Sequence, residues 1–294
     1  MKSGLVVLVG RSNVGKSTLL NTLVGTKIAA TSFRAQMTRH IIHGVMNMPG
    51  GSGHPGGQAV FVDTPGVFKD KKNPLTKKLT GKVSDAIQDI DLIVYVVDPT
   101  REIGQEERSI YGMIRHLPTK KILVINKSDL HPNDRKYQAD YERLGEDFDT
   151  VLSLSALRAS HIAPLKEKVI DLLPEGEPLY PEEQLTNIDN KFWIAEIIRE
   201  KIFSVFDKEV PYSMTVEVEN IEETTFGKDK HPGYKILAQV LTNEERYKRI
   251  IIGKGGLKLK EIGQMARKEL EQATGMKVFL ELEVDVDSHW VERV

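Results

Sequence analysis

Between residues 4 and 173 short apolar runs alternate with segments of helical period. The runs Leu5–Val9, His40–Val45, Ala59–Val62, Asp91–Val97, Lys121–Ile125 and Thr150–Leu154 are mostly β-branched and continuous. Continuous rather than alternating runs predict strands covered on both faces. Between them Lys16–Leu23, Thr80–Gln88 and Glu106–Arg115 read as helices, and such alternation predicts a mostly parallel sheet with helices on both sides. The second and third strands are the exception. The stretch joining them holds Pro49-Gly-Gly-Ser-Gly-His-Pro-Gly-Gly57, too flexible for a crossover helix, so an antiparallel hairpin with a long loop is expected. The first half is thus an α/β domain on a mixed six-stranded sheet.

At Leu173-Pro-Glu-Gly-Glu-Pro-Leu-Tyr-Pro-Glu-Glu183 the pattern breaks into prolines and acids, which predicts an extended linker. After it the order changes to a helix (Phe192–Phe206), two alternating strands (Ser213–Ile221 and Tyr234–Leu241), a helix (Glu244–Ile251), a glycine-rich turn, a helix (Leu257–Ala273) and a strand (Lys277–Val286). The expected organisation is residues 1–173, a linker over 174–190, and a second, α+β domain over 191–294 with the order α-β-β-α-α-β.

Composition adds little to this picture. The chain of 294 residues suffices for two domains, its 41 basic and 42 acidic residues nearly cancel, and it has no cysteine. Disulfides and thiolate metal sites are therefore excluded. No apolar run approaches the roughly 18 residues of a membrane span, and Leu5–Val9 is too short for the core of a secretion signal. A cytoplasmic protein is expected.

Candidate chemistry begins where the first strand ends. Gly10-Arg-Ser-Asn-Val-Gly-Lys-Ser17 follows an apolar strand and opens a helix, the context in which the Gly-x4-Gly-Lys-Ser spacing forms a phosphate-binding P-loop. Its glycines let the N–H groups from Asn13, Val14 and Gly15 to Lys16, Ser17 and Thr18 converge on phosphate oxygens at a helix N-terminus. Lys16 would reach the β- and γ-phosphates, and the Ser17 hydroxyl would ligate Mg²⁺. Asp63-Thr64-Pro65-Gly66 ends a later strand, where Asp63 can hold Mg²⁺ through water and the Gly66 N–H can meet the γ-phosphate. Asn126-Lys127-Ser128-Asp129 ends another. Asp129 can accept from guanine N1–H and the 2-amino group, whereas adenine would leave that carboxylate unpaired. Asn126 would brace the loop and the N7 edge, Lys127 would lie over the base, and Ser155-Ala156-Leu157 would offer an N–H to guanine O6. Any one of these stretches could be an ordinary turn. Four in this order, each at a strand's C-terminal end, specify a guanine nucleotide.

The second glycine turn, Gly253-Lys254-Gly255-Gly256, sits between two predicted helices and has no Ser or Thr after its lysine. It therefore lacks what a nucleotide loop needs. A Gly-x-x-Gly between helices in the α-β-β-α-α-β order is instead the clamp of a type II KH domain, which holds single-stranded RNA phosphates. The whole segment 191–294 is not basic, but Arg246, Lys248, Arg249, Lys254, Lys258, Lys260, Arg267 and Lys268 face Glu261 as the one acid in residues 246–268. Such a stripe is the electrostatic footprint of a phosphate backbone. Arg249, Ile252, Gly253, Lys254, Gly255, Gly256, Lys258 and Lys260 are the candidate RNA contacts, with Ile250, Ile251, Ile252 and Leu257 expected to be wall of the adjoining groove and core at once.

The motifs GRSNVGKST, QMTRH, DTPG, NKSD and SAL together resemble those of the translation-factor-related GTPases. With the C-terminal half, they resemble the Era family, bacterial ribosome-assembly GTPases with a C-terminal KH domain. The resemblance implies that Thr38 ligates Mg²⁺ only while the γ-phosphate is present, so that Lys16, Thr38 and Gly66 act on the transferred group. It also implies a monomer that binds the 3′ end of small-subunit ribosomal RNA during assembly of that subunit, with weak peripheral membrane association open to the family. Val67 stands where many GTPases have a water-orienting glutamine, which implies slow intrinsic hydrolysis. Related GTPases without that glutamine use a P-loop asparagine to hold K⁺ beside the phosphates. Asn13 matches that position, and bracing the loop is the other reading of it. The chain departs from the family in Ser12 (usually proline), Met37 (usually threonine) and the glycine-rich loop at 49–57. A scaffold with a purely structural nucleotide has only Val67 in its favour, and a small-molecule kinase would need an acceptor base that the sequence does not offer.

Overall fold

The computed structural model describes residues 1–31, 37, 39–51, 55–64, 90–227 and 229–293. Contacts divide the chain into two compact units, Met1–Asn187 and Ile188–Val294. In the first, six strands run in the spatial order β2-β3-β1-β4-β5-β6. They are β1 (Lys2–Val9), β2 (Ile42–Met48), β3 (Gly57–Asp63), β4 (Leu92–Val97), β5 (Lys120–Ile125) and β6 (Thr150–Ser153). All neighbours pair in parallel except β2 and β3, whose antiparallel register closes from Ile42↔Asp63 to Met48↔Gly57. The expected hairpin is therefore present, with strands longer than the apolar runs alone suggest. β3 and β4 are buried along their whole length, while β6 alternates as the sheet's far edge.

Four helices flank this sheet among the described residues: α1 (Lys16–Val24), α2 (Gln105–Ile114), α3 (Gln138–Arg143) and α4 (Ile162–Leu172). The helix expected over Thr80–Gln88 lies outside the described residues. In α2 the buried positions Glu107, Ile110 and Ile114 share one face. The two isoleucines meet Val7, Val9, Tyr95, Val97 and Leu123 in the core, as spacings of three and four residues dictate. The Glu107 carboxylate also accepts from the N-cap Gly104 N–H at 3.2 Å, satisfying one of the donors that a helix start leaves open.

The proline-rich segment behaves differently from a free tether. Ser3 N donates to Pro174 O at 3.0 Å and Gly176 N to Met1 O at 3.0 Å. Further on, Val45 N donates to Leu185 O at 2.9 Å and His43 N to Asn187 Oδ1 at 2.8 Å, which covers the outer edge of β2. The centre of this strap is Gln58, 1 % exposed. Its amide accepts from the Leu179 and Tyr180 N–H groups (2.7 and 2.9 Å) and donates to Tyr180 O and Asn47 Oδ1 (2.8 and 3.0 Å). By contact, residues 174–187 belong to the first unit. A Gln58→Leu change keeps the volume but removes the acceptor of two part-buried N–H groups and the donor to Tyr180 O and Asn47 Oδ1. It should cost about 2–3 kcal/mol in urea unfolding and speed proteolytic cutting within 174–187.

The second unit reads α5 (Asn190–Val205), β7 (Met214–Phe226), β8 (His231–Thr242), α6 (Glu245–Ile252), α7 (Leu257–Thr274) and β9 (Lys277–Val286). This is the α-β-β-α-α-β order expected, on a sheet β7-β8-β9 that is antiparallel at the first pair and parallel at the second. Alternation along β9 turns Val278, Leu280, Leu282 and Val284 inward and leaves Lys277, Phe279, Glu281 and Glu283 exposed, so one sheet face packs on helices.

Candidate functional site

The first glycine loop leaves β1 at its C-terminal end and enters α1. Gly10 has no room for a side chain, since a Cβ there would lie 2.4 Å from Val96 O. Asn13 takes a left-handed backbone (φ 66), which asparagine tolerates better than most residues. Lys16 Nζ donates to Gly10 O at 2.9 Å and Arg11 O at 3.1 Å, so its ammonium lies over the loop's own carbonyls. Burial lowers its pKa from the ordinary lysine value to about 8, with the Asp63 carboxylate pulling the other way. Ser17 Oγ donates to Asp63 Oδ2 at 2.7 Å, bringing the first residues of α1 to the end of β3. Thr64 follows, its hydroxyl donating to Leu8 O at 2.9 Å. Val14 is buried, and Thr18 lies in the first turn of α1.

One side chain joins this loop to the ends of two further strands. Asn126 Nδ2 donates to Val14 O at 2.8 Å, and Asn126 Oδ1 accepts from Ala156 N at 2.9 Å. A Cβ on Gly15, whose φ is 101, would come 2.3 Å from that same Nδ2, so only glycine fits beneath the amide. Lys127 is left-handed too (φ 63), and its Nζ meets Asp98 Oδ2 at 2.5 Å. Burial opposes the Asp98 charge, but hydrogen bonds from Lys127 and Thr100 outweigh it and hold its pKa below the usual carboxylate value. Asp129 Oδ1 accepts from Ser155 Oγ at 2.5 Å, and Thr22 Oγ1 of α1 lies 2.9 Å from Ala156 O. The N–H groups of Ser155 and Ala156 are engaged with Ser160 O and Asn126. Leu157 is 70 % exposed at the tip of this loop. Thr38, Gly66 and Val67 lie outside the described residues, while Met37 is buried.

In the second unit the glycine turn joins α6 to α7. Gly253, Gly255 and Gly256 have φ of 71, 60 and 76, each in the region that side chains avoid. Gly253 is also crowded, with Lys258 Cβ 2.8 Å from where its own Cβ would sit, whereas nothing lies within 4 Å of a Cβ on Gly255 or Gly256. The turn opens on a groove of about 420 Å³ lined by Gly256, Leu259, Lys260, Gly263, Gln264, Arg267, Leu280 and Leu282. Of the four apolar residues expected to serve as groove wall and core at once, Ile251 meets the core part, being fully buried. Ile250 and Leu257 are exposed at 44 % and 66 %, and none of the four isoleucine and leucine positions lines the cavity. Arg267 belongs to the basic stripe expected from sequence, whereas Gln264 and the β9 leucines were not expected because they lie beyond the motif. Gly263, a glycine inside a helix, was the available signal that something passes close to it. Arg249 and Lys258 pair with Glu245 (3.6 Å) and Glu261 (2.9 Å), while Lys254 and Lys260 have no ion-pair partner among the described residues.

Residues 5–127 match the family described as "50S ribosome-binding GTPase", and residues 209–291 match the KH domain. The chain is 39 % identical over 295 residues to the GTPase Era of Thermoanaerobacter sp. (strain X514), a match covering 98 % of this chain and 92 % of that one. With the GTPase Era of Caldanaerobacter subterraneus subsp. tengcongensis it shares 40 % over 290 residues, 98 % of this chain and 94 % of the other. The chain belongs to the Era family of GTPases. A crystal structure of Era in complex with MgGDPNP and nucleotides 1506–1542 of 16S ribosomal RNA superposes with a TM-score of 0.87 at 35 % identity, covering 100 % of this chain and 96 % of that one. An Aquifex aeolicus Era variant bound to GDP·AlF4⁻ gives the same TM-score, identity and coverage. Like its Era relatives the chain is a GTP-hydrolysing enzyme, with a P-loop domain on a mixed sheet followed by a KH domain.

The depressed pKa of Lys16 has two consequences of known sign. The unfolded chain keeps this proton to higher pH than the folded one, so the nucleotide-free protein gains stability from Lys16 as pH rises from about 8 towards 10.5. Phosphate binding by Lys16, which the P-loop spacing implies, would instead require the proton. GDP affinity should therefore fall above pH 8, approaching about tenfold per unit, and Lys16→Arg should flatten that fall. Fluorescent-GDP titrations between pH 7 and 9 measure both.

Proposed function

We propose that this chain is a GTP-switched RNA-binding protein that acts on the 3′ end of small-subunit ribosomal RNA during assembly of that subunit, as a cytoplasmic monomer. One observation carries the RNA half of the reading: the strained glycine turn opens directly onto a groove with basic walls (Lys260, Arg267) and an apolar floor (Leu280, Leu282). That is the arrangement a KH clamp needs, with phosphates on the turn and bases in the groove. The Era relative solved with 16S ribosomal RNA supplies the class of RNA.

At the nucleotide end the donor set fits Mg²⁺. Ser17 Oγ and Asp63 Oδ2, hard oxygens 2.7 Å apart, stand at the head of α1, and Thr38 joins them in this reading. When bound, the ion neutralises phosphate charge during transfer. The chain's own residues do the rest. The P-loop N–H groups and Lys16 hold the phosphates, the Gly66 N–H meets the γ-phosphate, and Asp129 reads guanine N1–H and the 2-amino group. Ser155 fixes that carboxylate through one oxygen, and the Ala156–Leu157 edge faces O6. Lys127, clamped by Asp98, lies along the base. Val67 cannot orient the attacking water, so Asn13 supplies a K⁺ site beside the phosphates. Turnover in KCl should then exceed that in NaCl, and equal rates in the two salts would sink the K⁺ assignment.

The RNA assignment is tested at Gly255. A Cβ there meets nothing within 4 Å, and aspartate is among the few side chains that visit φ near 60, so Gly255→Asp should still fold, with a modest loss of stability that thermal unfolding measures. It places a carboxylate where a phosphate must approach. Affinity for a single-stranded oligonucleotide of the 16S 3′ end should drop at least tenfold, as expected when about 1.4 kcal/mol or more is lost, with GDP binding unchanged. Wild-type RNA affinity in this variant would refute the clamp.

A further inference from the structure

Beneath the P-loop lies an ion pair that the phosphate-binding motif does not require. Arg11 Nε and Glu107 Oε1 are 2.6 Å apart, with side chains 8 % and 2 % exposed. The Tyr95 and Tyr141 rings belong to the same region, and burial pushes both phenols up, with Glu107 adding to the shift. Tyr95 OH, Arg11 Nε, Arg11 Nη2 and Glu107 Oε1 make no hydrogen bond among the described residues, so the close approach of Arg11 and Glu107 is an ion pair. Removing two charges from water is expensive, and an apolar pair of the same volume is often as stable or more so. Fold stability alone is therefore a poor reason for this pair.

Its place in the loop supplies a better one. The carbonyl of Arg11 is one of the two acceptors of the Lys16 ammonium, at 3.1 Å; the other is Gly10 O at 2.9 Å. A side chain on Gly10 would run into Val96 O, so the backbone sits close against β4 there, and Arg11 is held from the side by Glu107. Glu107 is itself held, because its second oxygen accepts from Gly104 N at the start of α2. A chain of contacts thus runs from α2 through Glu107 and Arg11 to the backbone carbonyls that set where Lys16 rests.

We infer that Glu107 and Arg11 are positioning residues of the GTPase reaction, which anchor the P-loop on α2 and so set the reach of Lys16 to the β- and γ-phosphates. The inference rests on the reading of residues 10–17 as the phosphate loop. It predicts an effect confined to nucleotides that have a β-phosphate. GMP lacks the group that Lys16 reaches and serves as an internal control for the integrity of the base site.

The test compares GMP and GDP affinities in the full-length wild type, Glu107→Gln and the apolar double variant Arg11→Met/Glu107→Leu, with thermal unfolding measured in parallel. The double variant should melt near the wild type, because no buried charge is left unpaired. Its preference for GDP over GMP should fall about tenfold or more, the scale of loss that small misplacements of a catalytic group produce, while GMP affinity holds. Single-turnover GTP hydrolysis should slow alongside. A folded double variant with the wild-type GDP-to-GMP ratio overturns the inference, as does one that loses GMP and GDP affinity equally. If the double variant does not fold, Arg11→Lys, which keeps the charge but not the planar fork, is read against the same ratio and the same two outcomes. Failure of the underlying reading looks different: Lys16→Ala would then leave the GDP preference of the wild type intact.

Discussion

The nucleotide end of this molecule depends on one buried amide. Asn126, 3 % exposed, donates to the P-loop at Val14 O and accepts from the guanine-side loop at Ala156 N. It stands at the end of β5, so three segments far apart in sequence are fixed to one another by a single planar group. The amide also makes Gly15 obligatory, since nothing larger fits under its nitrogen. Phosphate and base are thereby read by loops whose separation is set before any ligand arrives, and pre-set geometry is what turns contacts into specificity. Asp129 and Lys127, each held by its own partner (Ser155 and Asp98), extend the same principle outward to the base.

The two Gly-Lys turns share a backbone geometry in two electrostatic settings. Both hold glycines at positive φ, which lets backbone approach a ligand closely. In the first, the lysine is buried between a strand and a helix, and its charge is depressed by desolvation. In the second, the turn joins two helices, and its cations stand in solvent or in weak exposed pairs with Glu245 and Glu261. Exposed charges are screened by salt and buried ones much less. In the proposed reading RNA affinity is therefore the salt-dependent function and nucleotide affinity the salt-tolerant one.

The strap over residues 174–187 shows how a polar residue can organise a boundary. Its prolines and acids are those of a tether, yet Gln58, buried on β3, satisfies both N–H groups of Leu179 and Tyr180, and β2 lends the rest of its edge. That edge would otherwise expose an unpaired row of donors and acceptors. Asn187 comes to rest opposite His43, one residue into β2.

Hydrophobic periodicity by itself determined the strands, the hairpin, the α-β-β-α-α-β order of the second unit and which loops fall at strand ends, because local sterics and burial act over a few residues. The motifs determined the chemistry for a similar reason: a glycine at a required positive φ, or a lysine followed by a hydroxyl, is a local demand. Tertiary structure alone decided the matters that depend on what lies across a gap. Gln264, Leu280 and Leu282 joined Lys260 and Arg267 around the groove, because β9 packs against α7 at a sequence distance no motif spans. The same holds for Gln58 clamping the strap and Glu107 reaching Arg11. A buried polar side chain shows only its identity in sequence, and its partner is chosen by which segments the folded core brings within 3 Å, the reach of a hydrogen bond.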